Sequence, residues 1–88
     1  MKIFADVQDD EIENSYKNIS QNVKQIRSEI GLTQTEVALS MGFTTATFYT
    51  NAENSNNKHF NLEHLIKLSK LFNIDICEFF KVPISKLE

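Results

Sequence analysis

Residues 31–48 read GLTQTEVALSMGFTTATF, and the alternation of caps and breakers in this stretch decides the fold. Thr33 followed three residues later by Glu36 is a capping box, in which each side chain accepts a backbone N–H that the first helical turn leaves unpaired. Val37, Ala38 and Met41 then recur at helical spacing, so the cap opens a short amphipathic helix of about two turns. Gly42 supplies the conformational freedom that ends it and begins a turn of three residues. Thr44 is placed to cap a second, polar helix running through Asn51.

Upstream, Ile12, Tyr16, Ile19, Val23, Ile26 and Ile30 are spaced 4, 3, 4, 3 and 4 residues apart, which keeps one helical face apolar. Asp9 or Asp10 is positioned to cap that helix and Gly31 to close it. The stripe reads as core contact, with Ile12 and Tyr16 open to a second copy as the alternative. Downstream, the Asn-rich run 54–59 lacks periodicity and reads as a loop. Asn61 caps a fourth helix with Leu62, Leu65, Ile66, Leu68, Ser69 and Phe72 inward; Asp75 caps a fifth, Ile76–Phe80, which Pro83 stops. The expected class is all-α with five helices, although Met1–Val7 has room to be extended.

At 88 residues the chain holds one core, and 41% hydrophobic content with 24% charge excludes wholesale disorder. One Cys cannot form an internal disulfide, so a reducing cytoplasm is the expected setting, with Cys77 read as a small buried side chain. No apolar run approaches the roughly 20 residues of a membrane helix, and the acidic start is the reverse of a signal peptide. The net charge of −3 is unevenly placed: Asp6, Asp9, Asp10, Glu11 and Glu13 oppose Lys2 and Lys17 before residue 19, whereas residues 19–88 balance seven bases against seven acids. The chain therefore divides into an acidic extension (1–18, its end free to merge with the first helix), a neutral body (19–80) and a tail (81–88).

Cap, short helix, Gly turn, second cap and polar helix together make a helix-turn-helix. The run Ile19–Phe80, containing NVKQIR, GLTQTEVALSMGFTTATF and FNLEHLIKLSKLFNIDICEFF in that order, resembles the Xre family of phage repressor and Cro-like regulators. The resemblance implies a five-helix, lambda-repressor-like domain that binds double-stranded DNA sequence-specifically, as a homodimeric transcriptional regulator, with repression the expected outcome. It implies that Thr44, Thr45, Ala46, Thr47 and Thr50 face the major groove, and that Gln34, at a helix N-terminus, holds phosphate. Val37, Ala38, Phe43 and Phe48 would pack the two helices at their fixed angle around Gly42. Arg27 would pair with Glu53 and also touch phosphate, as would Lys58 with Asn54, Asn56 and Asn57; Lys24 is a further candidate. Relatives often dimerise through the region of Phe79, Phe80, Val82, Ile84 and Leu87, which favours an interface there over the alternative that Phe79 and Phe80 merely close the core.

Two features depart from the family pattern. Relatives place an apolar residue three positions after the one matched by Phe48, and a Glu next; here those positions hold Asn51 and Ala52, with Glu53 one later. Moreover no Arg, Lys or Gln lies between Thr44 and Asn51, leaving Asn51 as the sole candidate for a bidentate adenine contact. Weak or AT-favouring specificity follows, partly through DNA shape.

His59 and His64 are five apart, off the spacing that places two ligands on one helical face, and no Cys or carboxylate set joins them, so no metal or cofactor is expected. No nucleophile–base set or phosphate loop can be assembled either, and no enzyme is expected. A rival reading uses the same fold without DNA, as a protein-interaction module of antirepressor or antitoxin-like kind whose acidic start imitates phosphate. A third folds that acidic segment over the chain's own DNA-binding face.

Overall fold

Thr33 and Asn61 cap helices in the way their neighbours predict. In the computed structural model, which describes residues 8–82, the order is α1 (Asp9–Ile30), α2 (Gln34–Ser40), α3 (Thr47–Glu53), α4 (Leu62–Phe72) and a closing 3-10 helix (Ile76–Phe80). Both capping boxes are complete: Thr33 with Glu36, and Asn61 with His64, whose Nδ1 accepts the Asn61 backbone N–H at 3.0 Å. The described residues contain no strand.

Three boundaries differ from expectation. The N-cap of α1 is Gln8, which makes no side-chain cap bond; Asp9 and Asp10 lie inside the first turn, where their charge suits the positive end of the dipole. Thr44 does not cap α3, which begins only at Thr47 after an N-cap at Ala46. The fifth element is a 3-10 rather than an α-helix, with the Asp75 carboxylate accepting the Cys77 N–H at 2.8 Å. Among the described residues there are thus four α-helices and one 3-10 helix instead of five α-helices. Pro83, Ile84, Leu87 and Met1–Val7 lie outside the described residues.

Val23 of α1, Val37 and Ala38 of α2, Tyr49 and Ala52 of α3, Leu68 of α4 and Phe79 are fully covered and form the centre of the core. Each such Leu, Val or Phe adds about 1.5–3 kcal/mol relative to leaving it in water. On α4 the inward face is Leu65, Leu68 and Phe72; Leu62 and Ile66, expected inward, are exposed because the helix presents only one stripe to the core. Phe79 packs edge-on against Phe72 and so belongs to the core, a correction to its reading as a surface for a second copy. Cys77, expected to be buried, is exposed.

The long α1 is pinned to both ends of the rest. Buried Ser20 donates to the Ala52 carbonyl at 2.8 Å, an oxygen that also accepts the Ser55 backbone N–H at 3.2 Å. Asn22 donates to the carbonyls of Phe79 and Lys81, both at 2.8 Å, and Asn18 to Lys81 at 3.1 Å, so α1 also caps the closing 3-10 helix.

Candidate nucleic-acid interface

Two helix ends and a turn build the site. Gly42 takes φ +99°, a left-handed value that an L side chain adopts only with strain. The chain then runs through an extended turn to Ala46, so the connection is longer than three residues. Tyr49, not Phe48, is the buried residue that locks α3 against the core, as Val37 and Ala38 lock α2. Phe48 is half-buried and packs sideways on Phe43 and His64, with centroids 5.3 and 5.1 Å away. Counted from Tyr49, the apolar Ala52 falls three residues on and Glu53 immediately after, which is the family spacing that counting from Phe48 had broken.

Around Glu53 the side chains converge on one buried carboxylate. Arg27 donates to it twice, Nε to Oε2 at 2.8 Å and NH2 to Oε1 at 2.9 Å, while its remaining nitrogen donates to the Leu32 carbonyl at 2.6 Å. The Tyr49 hydroxyl donates at 2.7 Å and the Gln34 amide at 2.8 Å. Burial alone would push the Glu53 carboxyl up, but the hydrogen bonds from Arg27, Gln34 and Tyr49 outweigh it and hold it below the ordinary carboxylate range. Hydrogen bonding to Glu53 raises Arg27 against the opposing effect of burial; burial, then Glu53, raises the Tyr49 phenol. Tyr49 is the member of this cluster that sequence reasoning missed; the signal for it is its position four residues before Glu53, which puts both on one helical face.

This network engages two of the expected phosphate ligands. The Arg27 side chain is only 12% exposed and its charge is matched by Glu53, so it braces α1 against α3 instead of presenting a free cation. Gln34 is half-exposed at the N-terminus of α2, its amide donating to Glu53 and its carbonyl accepting from Thr50 at 3.4 Å. Thr50 is thereby turned towards α2. Ala46, expected to face bases, packs on the core at the N-cap of α3. With Tyr49, Ala52 and Glu53 inward, the opposite ridge at 100° per residue is Thr47, Asn51 and Asn54. Thr47 and Asn54 are exposed and Asn51 half-exposed; Thr44 and Thr45 are exposed in the bend just before.

The loop that follows continues this surface. Its Asn56 N–H donates to the Asn51 carbonyl at 2.8 Å, and the Asn56 amide donates to Asn51 Oδ1 at 3.3 Å. Lys58 is exposed at its end, and Lys24 is exposed on α1. The two histidines, set apart by sequence spacing, have separate structural neighbours: His64 caps α4, and His59 stacks on Tyr16. Phe80 and Val82 are about half-exposed beside the buried Phe79.

Residues 23–79, well over half of the chain, match the family model described as helix-turn-helix, and the match spans α2, the turn and α3. The chain belongs to this Xre/Cro-like family. Xre/Cro-like domains are DNA-binding modules of transcription regulators. No curated protein and no solved structure matches the chain. Among the described residues no helix is long and apolar enough to cross a membrane.

Proposed function

We propose that this Xre/Cro-like protein is a sequence-specific, cytoplasmic transcriptional repressor that binds double-stranded DNA as a homodimer, with α3 in the major groove. The observation that carries the reading is the outward ridge Thr47–Asn51–Asn54 on a helix held rigid by the Arg27–Glu53 fork. Asn51 is the residue able to read adenine through two hydrogen bonds, with the Thr44, Thr45 and Thr47 methyls suited to thymine. Lys58, Asn54 and the Gln34 end of α2 supply phosphate contacts. Because α3 carries no cation, one subunit gains little from counterion release, and useful affinity needs two half-sites about one turn, roughly 34 Å, apart. Phe80 and Val82 are the apolar surface offered for that dimer.

Selection of bound sequences from a randomised duplex pool at low salt, followed by titration of the enriched duplex, tests this. Enrichment of paired AT-containing half-sites supports it; absence of any enriched or bound duplex overturns it. The cation-free α3 beside an acidic α1 start also favours a second reading, a protein-interaction module. That reading requires a stoichiometric protein partner and no duplex binding by the same preparation.

A further inference from the structure

A groove outside the helix-turn-helix runs between the first turns of α1 and the loop after α3. Asp9, Glu13, Tyr16 and Lys17 face Lys58 and His59 across it. The loop reaches α1 because Ser55 and Asn57 adopt left-handed φ values of 56° and 61°, folding it back after α3. There the His59 ring lies flat on Tyr16, centroids 3.8 Å apart and planes 7° from parallel. Residues 8–17 are otherwise exposed along their length. Within Asp9–Lys17 the acids Asp9, Asp10, Glu11 and Glu13 oppose Lys17 alone, and Lys17 lies 3.6 Å from Glu13. The carboxylates of Asp9 and Glu13 therefore line the same groove as Lys58, the cation proposed to hold DNA phosphate.

We infer that the acidic first turns of α1, latched to the loop by the Tyr16–His59 stack, form an intramolecular electrostatic brake on phosphate binding at Lys58. This rests on the DNA-binding reading above. A DNA backbone laid on Lys58 meets fixed carboxylates of its own sign, and the stack keeps them there. Freed from the stack, the first turns of α1 fray and carry their charge away from the loop.

Titration of the full chain onto the AT-containing duplex enriched above, by fluorescence anisotropy, tests the brake. Four changes made together, Asp9→Asn, Asp10→Asn, Glu11→Gln and Glu13→Gln, are expected to tighten binding about tenfold at about 50 mM salt and much less at about 200 mM. Tyr16→Ala, which leaves every charge in place, is expected to tighten it in the same direction, and Tyr16→Phe, which keeps the stack, to leave it unchanged. Glu63→Gln with Glu78→Gln, elsewhere on the surface, controls for net charge. Circular dichroism establishes that each variant is folded. Wild-type binding with no gain in the neutralised or Tyr16→Ala variants overturns the brake while leaving the DNA reading standing, as does an equal gain per charge in the control. Failure of every form to bind overturns both.

Discussion

The Arg27 guanidinium and the Glu53 carboxylate meet fork to fork at 2.8 and 2.9 Å, joining the last turns of α1 to the end of α3. The Glu53 side chain is wholly covered, so its charge depends on these partners. Glu53→Ala leaves a largely buried guanidinium unpaired and is expected to cost about 3–5 kcal/mol. Urea unfolding of Glu53→Ala, Arg27→Met and the double variant provides the measurement. The double is expected to lose less than the two singles combined, because it removes both charges at once.

Acid should act on the same carboxyl. Its folded pKa is depressed, so the stability it contributes is present above the ordinary unfolded carboxyl value and is lost as pH falls through the depressed folded one. Glu53→Gln, compared with wild type in thermal melts across the acid range, is expected to flatten that limb of the stability profile.

His64 titrates in a different window. Burial holds its imidazole below the usual 6.5, and its Nδ1 must be unprotonated to accept the Asn61 N–H. The folded state therefore takes up its proton later than the unfolded one. Stability from His64 is full above about 6.5 and declines as pH falls from there towards the folded value. His64→Gln keeps an acceptor in the capping box and is expected to remove that decline, read from urea midpoints across a pH series running down from neutral.

The α2 cap offers a stability test separate from the ion pair. Thr33→Ala deletes the hydroxyl that accepts the Glu36 N–H at 3.0 Å and is expected to cost about 1 kcal/mol, measured by urea unfolding. Thr33→Ser is expected to retain most of it.

On DNA, Lys58 and Asn51 should separate affinity from discrimination. Lys58→Ala is expected to weaken binding to all duplexes alike and lower the salt slope by about 0.9 per subunit. Asn51→Ala is expected to lose about 1–3 kcal/mol of preference at one base pair per half-site and leave the salt slope intact. Anisotropy titrations over a salt series on the selected duplex and its single-pair variants resolve the two.

Much of this fold was legible because it rests on local chemistry. Thr33 with Glu36, Asn61, Gly31 and Gly42 each act through a few neighbouring backbone groups, so their signals survive in the string of letters. The register of α3 was harder, since Phe48 and Tyr49 are adjacent aromatics and the length of the turn selects between them. The turn follows from how Tyr49 and Ala52 fit the core, which is a long-range outcome. Phe79 and Phe80 pose the same ambiguity one pair later, settled by the packing of Phe79 on Phe72. Arg27 was visible as a partner for Glu53, but its near-complete enclosure was not, because burial is set by what α2 and α3 lay over it.

Ser20, Arg27, Asn18 and Asn22 all project from one continuous helix. The first two hold the end of α3, and the two asparagines hold the closing turn that ends at Phe80. That helix is a common chassis for the Thr47–Asn51–Asn54 ridge, proposed to read DNA, and for the apolar corner at Phe80 and Val82. A partner seated on Phe80 and Val82 is thereby indexed to the ridge through hydrogen bonds to a single rod. In a symmetric pair, the distance between the two ridges becomes a property of α1's stiffness, and loosening Asn22 would blur the spacing the pair can measure.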